Sequence, residues 1–133
     1  KQTMSHKPES RPTIFIDMKK SRIRIHRRTL QMLGNPTHIQ LLVNPDSRTI
    51  AVKRTSEYDH LSHRIPENEL LHHKCCELYS RDFLKALRAT SSGWTDKATY
   101  LIYGTLIESC NLVQFSMKDS IPVNNTQKGG QDK

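Results

Sequence analysis

Short apolar runs separated by polar breaks set the reading of this chain. Thr13–Met18 (TIFIDM) is a run of β-forming residues and predicts a strand. Arg22–His26 (RIRIH) alternates with a period of two. That pattern predicts a strand with Ile23 and Ile25 facing in and Arg22, Arg24 and His26 facing out. Arg28–Leu33 reads as a short helix with Leu30 and Leu33 on one face. Gly34 supplies its permissive end, and Pro36 bars continuation. His38–Val43 and Thr49–Arg54 are the arms of a hairpin around the turn-forming Asn44–Arg48.

Residues 55–66 are polar, end in Pro66, and read as a linker. Glu67–Tyr79 reads in two ways. It is either a helix with Leu71, Cys75 and Leu78 on one stripe, or it closes in a strand over Cys75–Tyr79. Ser80 is a credible N-cap, with Asp82 in the first turn and Phe83, Leu84 and Leu87 on the apolar face. Ser91–Gly93 ends that helix. Thr99–Tyr103 and Leu112–Met117 are two further strands joined through Gly104–Asn111. The polar ends, residues 1–11 and 124–133, are expected to be disordered.

These elements predict an α+β chain: a basic half over residues 12–54, the linker at 55–66, and a helix plus hairpin over residues 67–123. The two halves run through the same order of strand, helix, Gly, strand, turn, strand. The glycines Gly34 and Gly93 mark equivalent places, although residue identity between the halves is not convincing. A diverged repeat is therefore one reading. A common helix-and-hairpin arrangement is the other.

Charge sharpens the picture. Of 133 residues, the first 54 hold twelve Lys and Arg against three Asp and Glu, a net +9; the rest hold nine against ten, a net −1. The excess concentrates in Lys19–Arg28 (KKSRIRIHRR), with Lys19, Lys20, Arg22, Arg24, Arg27 and Arg28 and no acid. Pleating puts Arg22 and Arg24 side by side, where they repel unless an anion is present. Such a stretch suits a polyanion partner.

The stretch from Thr13 to Arg54 resembles the AbrB-like swapped-hairpin family of bacterial DNA-binding domains. The resemblance rests on RIRIHRRTLQMLG (Arg22–Gly34) and the hairpin HIQLLVNPDSRTIAVKR. It implies a homodimer of intertwined strands that presents arginines to DNA, with Arg22 as the matching contact and Leu33-Gly34 as the helix end. Ser21 stands where the family has glycine, and His26 where it has proline. The family's paired helix arginines fall on Leu30 and Gln31. Arg24, Arg27 and Arg28, with Lys19 and Lys20, enter as contacts from charge and pleat alone.

Other chemistries find less support. His60, His63, His72, His73, Cys75 and Cys76 lie close in sequence, but adjacent pairs point apart on a strand or helix. Buried cysteines and solvated histidines account for them, so no cofactor or metal is expected. Cys110 lies near Glu108 with no histidine placed by sequence to activate it. No glycine-rich phosphate loop is present. No catalytic set emerges, and a non-enzymatic role is expected. Trp94, Tyr100, Tyr103 and Phe115 lie away from the basic stretch and are expected in the core. Three cysteines, two of them adjacent, do not form a disulfide framework. With no secretion pattern at the start, a cytoplasmic setting is expected.

The sequence thus predicts double-stranded DNA binding through Lys19–Arg28, in the manner of a transcription regulator. Two alternatives stand beside it. One is an assembly subunit docking an acidic protein through the same edge. The other is an RNA binder that stacks bases on the aromatics of the second half.

Overall fold

A computed structural model describes residues 11–66, 73–91 and 93–123. Its nine strands are β1 (Thr13–Asp17), β2 (Arg22–His26), β3 (His38–Asn44), β4 (Thr49–Thr55), β5 (His63–Arg64), β6 (Cys75–Leu78), β7 (Thr99–Ile107), β8 (Leu112–Ser116) and β9 (Ile121–Val123). Among the described residues they are joined by two α-helices, α1 (Arg27–Met32) and α2 (Arg81–Thr90). All strand pairs are antiparallel. They form one sheet in the order β5-β3-β4-β8-β7-β1-β2-β6, with β9 paired to β7.

This architecture corrects the expected fold class. The chain is a mainly antiparallel, nearly closed barrel-like sheet with two helices, not an α+β swapped-hairpin domain. The physical reason lies in the pairing. β1 lies between β2 and β7, β2 pairs with β6, and β4 pairs with β8. Strands of the basic half thus find their partners in the second half of the same chain. Interlocked pairing joins the two halves in one sheet. The expected linker is also more than a connection, because β5 pairs with β3 and Ile65 is buried.

The pairings follow a twofold pattern. If β1, β2, α1, β3 and β4 are set against β5, β6, α2, β7 and β8, then β1·β7 corresponds to β5·β3, and β3·β4 to β7·β8. β2·β6 and β4·β8 correspond to themselves. Only the counterpart of β1·β2, a β5·β6 pair, is lacking among the described residues. The correspondence reaches single residues. Both hairpin turns end on a left-handed residue, Arg48 (φ 56°) and Asn111 (φ 54°). Arg48 O accepts from Met117 N, and Asn111 O accepts from Arg54 N.

Local sequence explains the elements. β2 alternates as expected, with Ile23 and Ile25 fully buried. β1 is closed on both faces: Ile14 and Ile16 enter the core, while Thr13 exchanges two hydrogen bonds of 3.0 Å with Thr29 of α1. α1 begins at Arg27, one residue earlier than expected, because the His26 imidazole caps it. Ser80 caps α2 through Phe83 N, and Phe83, Leu84 and Leu87 are buried.

β7 runs on to Ile107 where a connection from Gly104 was expected. Thr99–Tyr103 pairs with β1, and Gly104–Ile107 pairs with β8. At this crossover a Cβ on Gly104 would lie 2.6 Å from Phe115 Cε2 and 2.8 Å from Val113 Cγ1. Glycine therefore lets one strand serve both parts of the sheet. The core inside the sheet includes Ile39, Ile50, Val52, Ile102, Val113 and Phe115, all fully buried. No helix among the described residues is long and apolar enough to cross a membrane. Of Glu67–Tyr79, which reads in two ways, Cys75–Leu78 is a strand, not part of a helix, and residues 67–72 lie outside the described residues. Of the ends expected to be disordered, 1–11 and 124–133, all but Arg11 lie outside them too.

Candidate polyanion interface

The basic stretch runs from the β1–β2 turn along β2, which β1 and β6 flank, to the start of α1; we call these cations the basic edge. Lys19 and Lys20 are exposed in the β1–β2 turn, which is tightened by Asp17 Oδ1 accepting from Lys20 N at 3.0 Å. Ser21 takes a left-handed φ of 53° there, at the place where the resembling family has glycine. From this turn β2 carries the cations about 17 Å to the start of α1, at roughly 3.3 Å per residue. Arg27 and Arg28 open that helix.

The two strand arginines do not stand opposed and unpaired. Arg22 Nη2 lies 3.0 Å from Asp17 Oδ2, and its Nη1 lies 3.6 Å from Glu77 Oε2. Arg24 Nε lies 3.3 Å from the same Glu77 oxygen. The expected self-repulsion is thus answered inside the protein. Asp17 is opposite Arg22 in the β1·β2 register, and Glu77 is opposite Arg24 in the β2·β6 register. Asp17 could be seen five residues upstream. Glu77 could not, because nothing in the sequence aligned β6 with β2.

Burial ranks the two arginines. The Arg22 side chain is 18% exposed and its carboxylate partner Asp17 is 10% exposed, whereas Arg24 and Glu77 are 38% and 36% exposed. The Arg22 Nε is buried and has no hydrogen-bond partner among the described residues. Arg22 is therefore held in the sheet, while Arg24 reaches solvent. Arg27 donates from Nη2 to His73 O at 3.1 Å, and its backbone N donates to Lys74 O at 2.7 Å.

Those bonds bring in a residue outside the predicted set. Lys74 is exposed and lines a shallow cleft of about 370 Å³ with Arg24, His73, Cys75 and Glu77. The assembled edge carries the six predicted cations and Lys74 against Asp17 and Glu77. Among the described residues, those cations outnumber the two carboxylates.

His26 joins the edge to its scaffold. Its Nδ1 accepts from Arg28 N at 3.0 Å, which requires that nitrogen to be unprotonated. Burial, then the Arg27 and Lys74 charges, hold its pKa below the usual 6.5. Burial also pushes the neighbouring Cys75 thiol up, outweighing the opposing pull of Arg24, so it is a poor candidate for a thiolate nucleophile. Cys76 is buried in the core, and Cys110 is exposed in the short 3-10 turn Glu108–Cys110. Among the described residues, no three His, Cys, Asp or Glu side chains gather as metal ligands would. His72 lies outside them.

The aromatics divide. Phe115 and Tyr100 are in the core as expected. Tyr103 is half-buried, with the Arg11 guanidinium 4.7 Å above its ring. Trp94 is half-buried and stacks on Tyr100, ring centroids 4.2 Å apart. Compared with family models, curated proteins and solved structures, the chain matches none.

Proposed function

We propose that this chain binds duplex DNA through the edge formed by the β1–β2 turn, the start of α1 and Lys74, as a transcription regulator would. The observation that carries this reading is the density of cations there, which among the described residues meet the carboxylates of Asp17 and Glu77. Phosphate neutralisation supplies the affinity, since cations displace condensed counterions from the duplex. Lys19 and Lys20 act as point charges in the turn. Arg27 and Arg28, at the start of α1, offer planar forks suited to phosphates or guanine edges. Arg22 and Arg24 serve chiefly as the struts that set the edge in place, with Arg24 the more accessible. The resemblance of Arg22–Gly34 to a family of DNA-binding domains supports the same reading.

Fluorescence anisotropy of the chain on a random-sequence duplex, across about 50 to 200 mM salt, tests it. If Lys19, Lys20, Arg27, Arg28 and Lys74 each meet a phosphate, the log–log salt slope is about −4.5 per chain. A flat response or no saturable binding refutes the proposal.

A further inference from the structure

A cavity of about 430 Å³ lies beside Trp94, built from three segments remote in sequence: Arg48 of the β3–β4 turn, the stretch after α2 with Ser91, Gly93, Trp94 and Tyr100, and Met117–Pro122. Its walls combine two kinds of chemistry. One is the fixed aromatic pair: Trp94 and Tyr100 are nearly parallel, with an interplanar angle of 8°. The indole Nε1 donates to Ser120 Oγ at 3.1 Å, and Tyr100 OH accepts from Thr95 N at 2.8 Å. Both rings are thus locked in orientation. The other is charge: exposed Arg48 and Lys118 both line the cavity. Among the described residues no carboxylate lines it.

The twofold pairing shows what is unusual here. In the first half, Arg54 reaches across to the end of α1, and its Nη1 donates to Leu33 O at 2.8 Å. That guanidinium fills the space so closely that a Cβ on Gly34 would lie within 2.5 Å of it. The residue in Arg54's place in the second half is Met117, which points into the core and is buried. The matching space at the end of α2 is left open, with cations at its rim.

We infer that this cavity binds a small planar aromatic anion, a single ring system carrying a phosphate or carboxylate. The ring would pack along the Trp94–Tyr100 wall, where an aromatic pair contributes beyond its buried area. The anionic group would lie between Arg48 and Lys118. The volume falls within the range of small-ligand pockets. This site is independent of the DNA-binding edge and stands or falls separately.

Trp94 is the single tryptophan in the chain, so its fluorescence reports on the cavity directly. The test titrates the full chain with adenosine monophosphate, adenosine, inorganic phosphate and a short single-stranded oligonucleotide. Equilibrium dialysis of radiolabelled adenosine monophosphate gives binding without relying on quenching. The expected result is saturable binding of the monophosphate, with adenosine and phosphate each weaker by about tenfold or more. Arg48→Asn with Lys118→Gln should weaken it by a similar factor while the melting temperature holds. Asparagine already occupies the equivalent left-handed position at Asn111, so the turn tolerates the change.

No saturable binding by either method overturns the inference. So does binding that is indifferent to the two substitutions. Tighter binding of the oligonucleotide than of the monophosphate, with the same dependence on Arg48 and Lys118, overturns the small-molecule assignment and makes the cavity part of a nucleic-acid surface.

Discussion

Arg22→Gln separates scaffold from contact along the basic edge. The substitution leaves Asp17, 10% exposed, without its guanidinium partner and removes the Arg22 contact of Glu77. Breaking a buried ion pair costs about 3–5 kcal/mol. Here the pair keeps some solvent, and the unpartnered Arg22 Nε already offsets part of its contribution. A loss of about 2–3 kcal/mol is expected, or a drop of roughly 6–15 °C in melting temperature for a chain of this size. The DNA salt slope should stay within about one contact's worth, 0.9, of wild type, because Arg22 is already neutralised by carboxylates. Lys19→Gln with Lys20→Gln should do the reverse: stability unchanged within about 0.5 kcal/mol, and the slope reduced in magnitude by about 1.8. Paired thermal melts and anisotropy titrations read both quantities on the same preparations. An Arg22→Gln protein that melts with wild type, or a double lysine variant with an unchanged slope, refutes this division of roles.

Three further outcomes follow from the fold. Gly104→Ala should cost about 2–3 kcal/mol by urea denaturation, since its Cβ meets the fully buried Phe115 and Val113. Gly93→Ala meets nothing within 4 Å and should instead stabilise by about 0.4–1 kcal/mol; equal effects at both positions would sink the argument. The lowered pKa of His26 means that the unfolded chain takes up the proton first. Its stabilising cap is present above about pH 6.5 and is lost as pH falls through the folded-state value. Melts from neutral to mildly acidic pH should therefore show declining stability. His26→Asn, which caps without titrating, should flatten that decline, leaving the share from His63, whose pKa burial also lowers. Thr29→Val should destabilise by about 1–3 kcal/mol, because it strips both hydrogen bonds from buried Thr13; a change under about 0.5 kcal/mol would show that the link is dispensable.

Local order was largely legible in the sequence. Period-two alternation placed Ile23 and Ile25 in the core, Ser80 announced α2, and Gly34 does close α1 with a φ of 80°. What escaped is what depends on pairing between distant segments. The placement of β1 between β2 and β7 has no local signature, and it decides the fold class. The same blindness hid Glu77. The pattern leaves Arg24 without a counter-charge because its carboxylate lies more than fifty residues away, on a strand whose register only the sheet defines. The alternation predicts His26 as an outward strand residue, which it is, but carries no sign that its ring caps the next helix. The Trp94 cavity needed three segments to meet before it existed at all.

The interleaving of β1 has a consequence for how the protein is made. Ile14 and Ile16 pair with Ile102 and Tyr100, so the early strand meets one of its two neighbours only after almost ninety more residues have been synthesised. At about 5–20 residues per second, that delay is roughly 4–18 s. During it, the β1–β2 hairpin can form but cannot bury its apolar face in the finished sheet. The nascent chain therefore exposes isoleucine-rich, strand-forming segments for seconds, and a holdase or the ribosome surface has that interval in which to act. The pairings that need β7 or β8 (β1·β7, β7·β8, β7·β9 and β4·β8) join the two parts of the sheet, so its closure is a late event in this chain's synthesis.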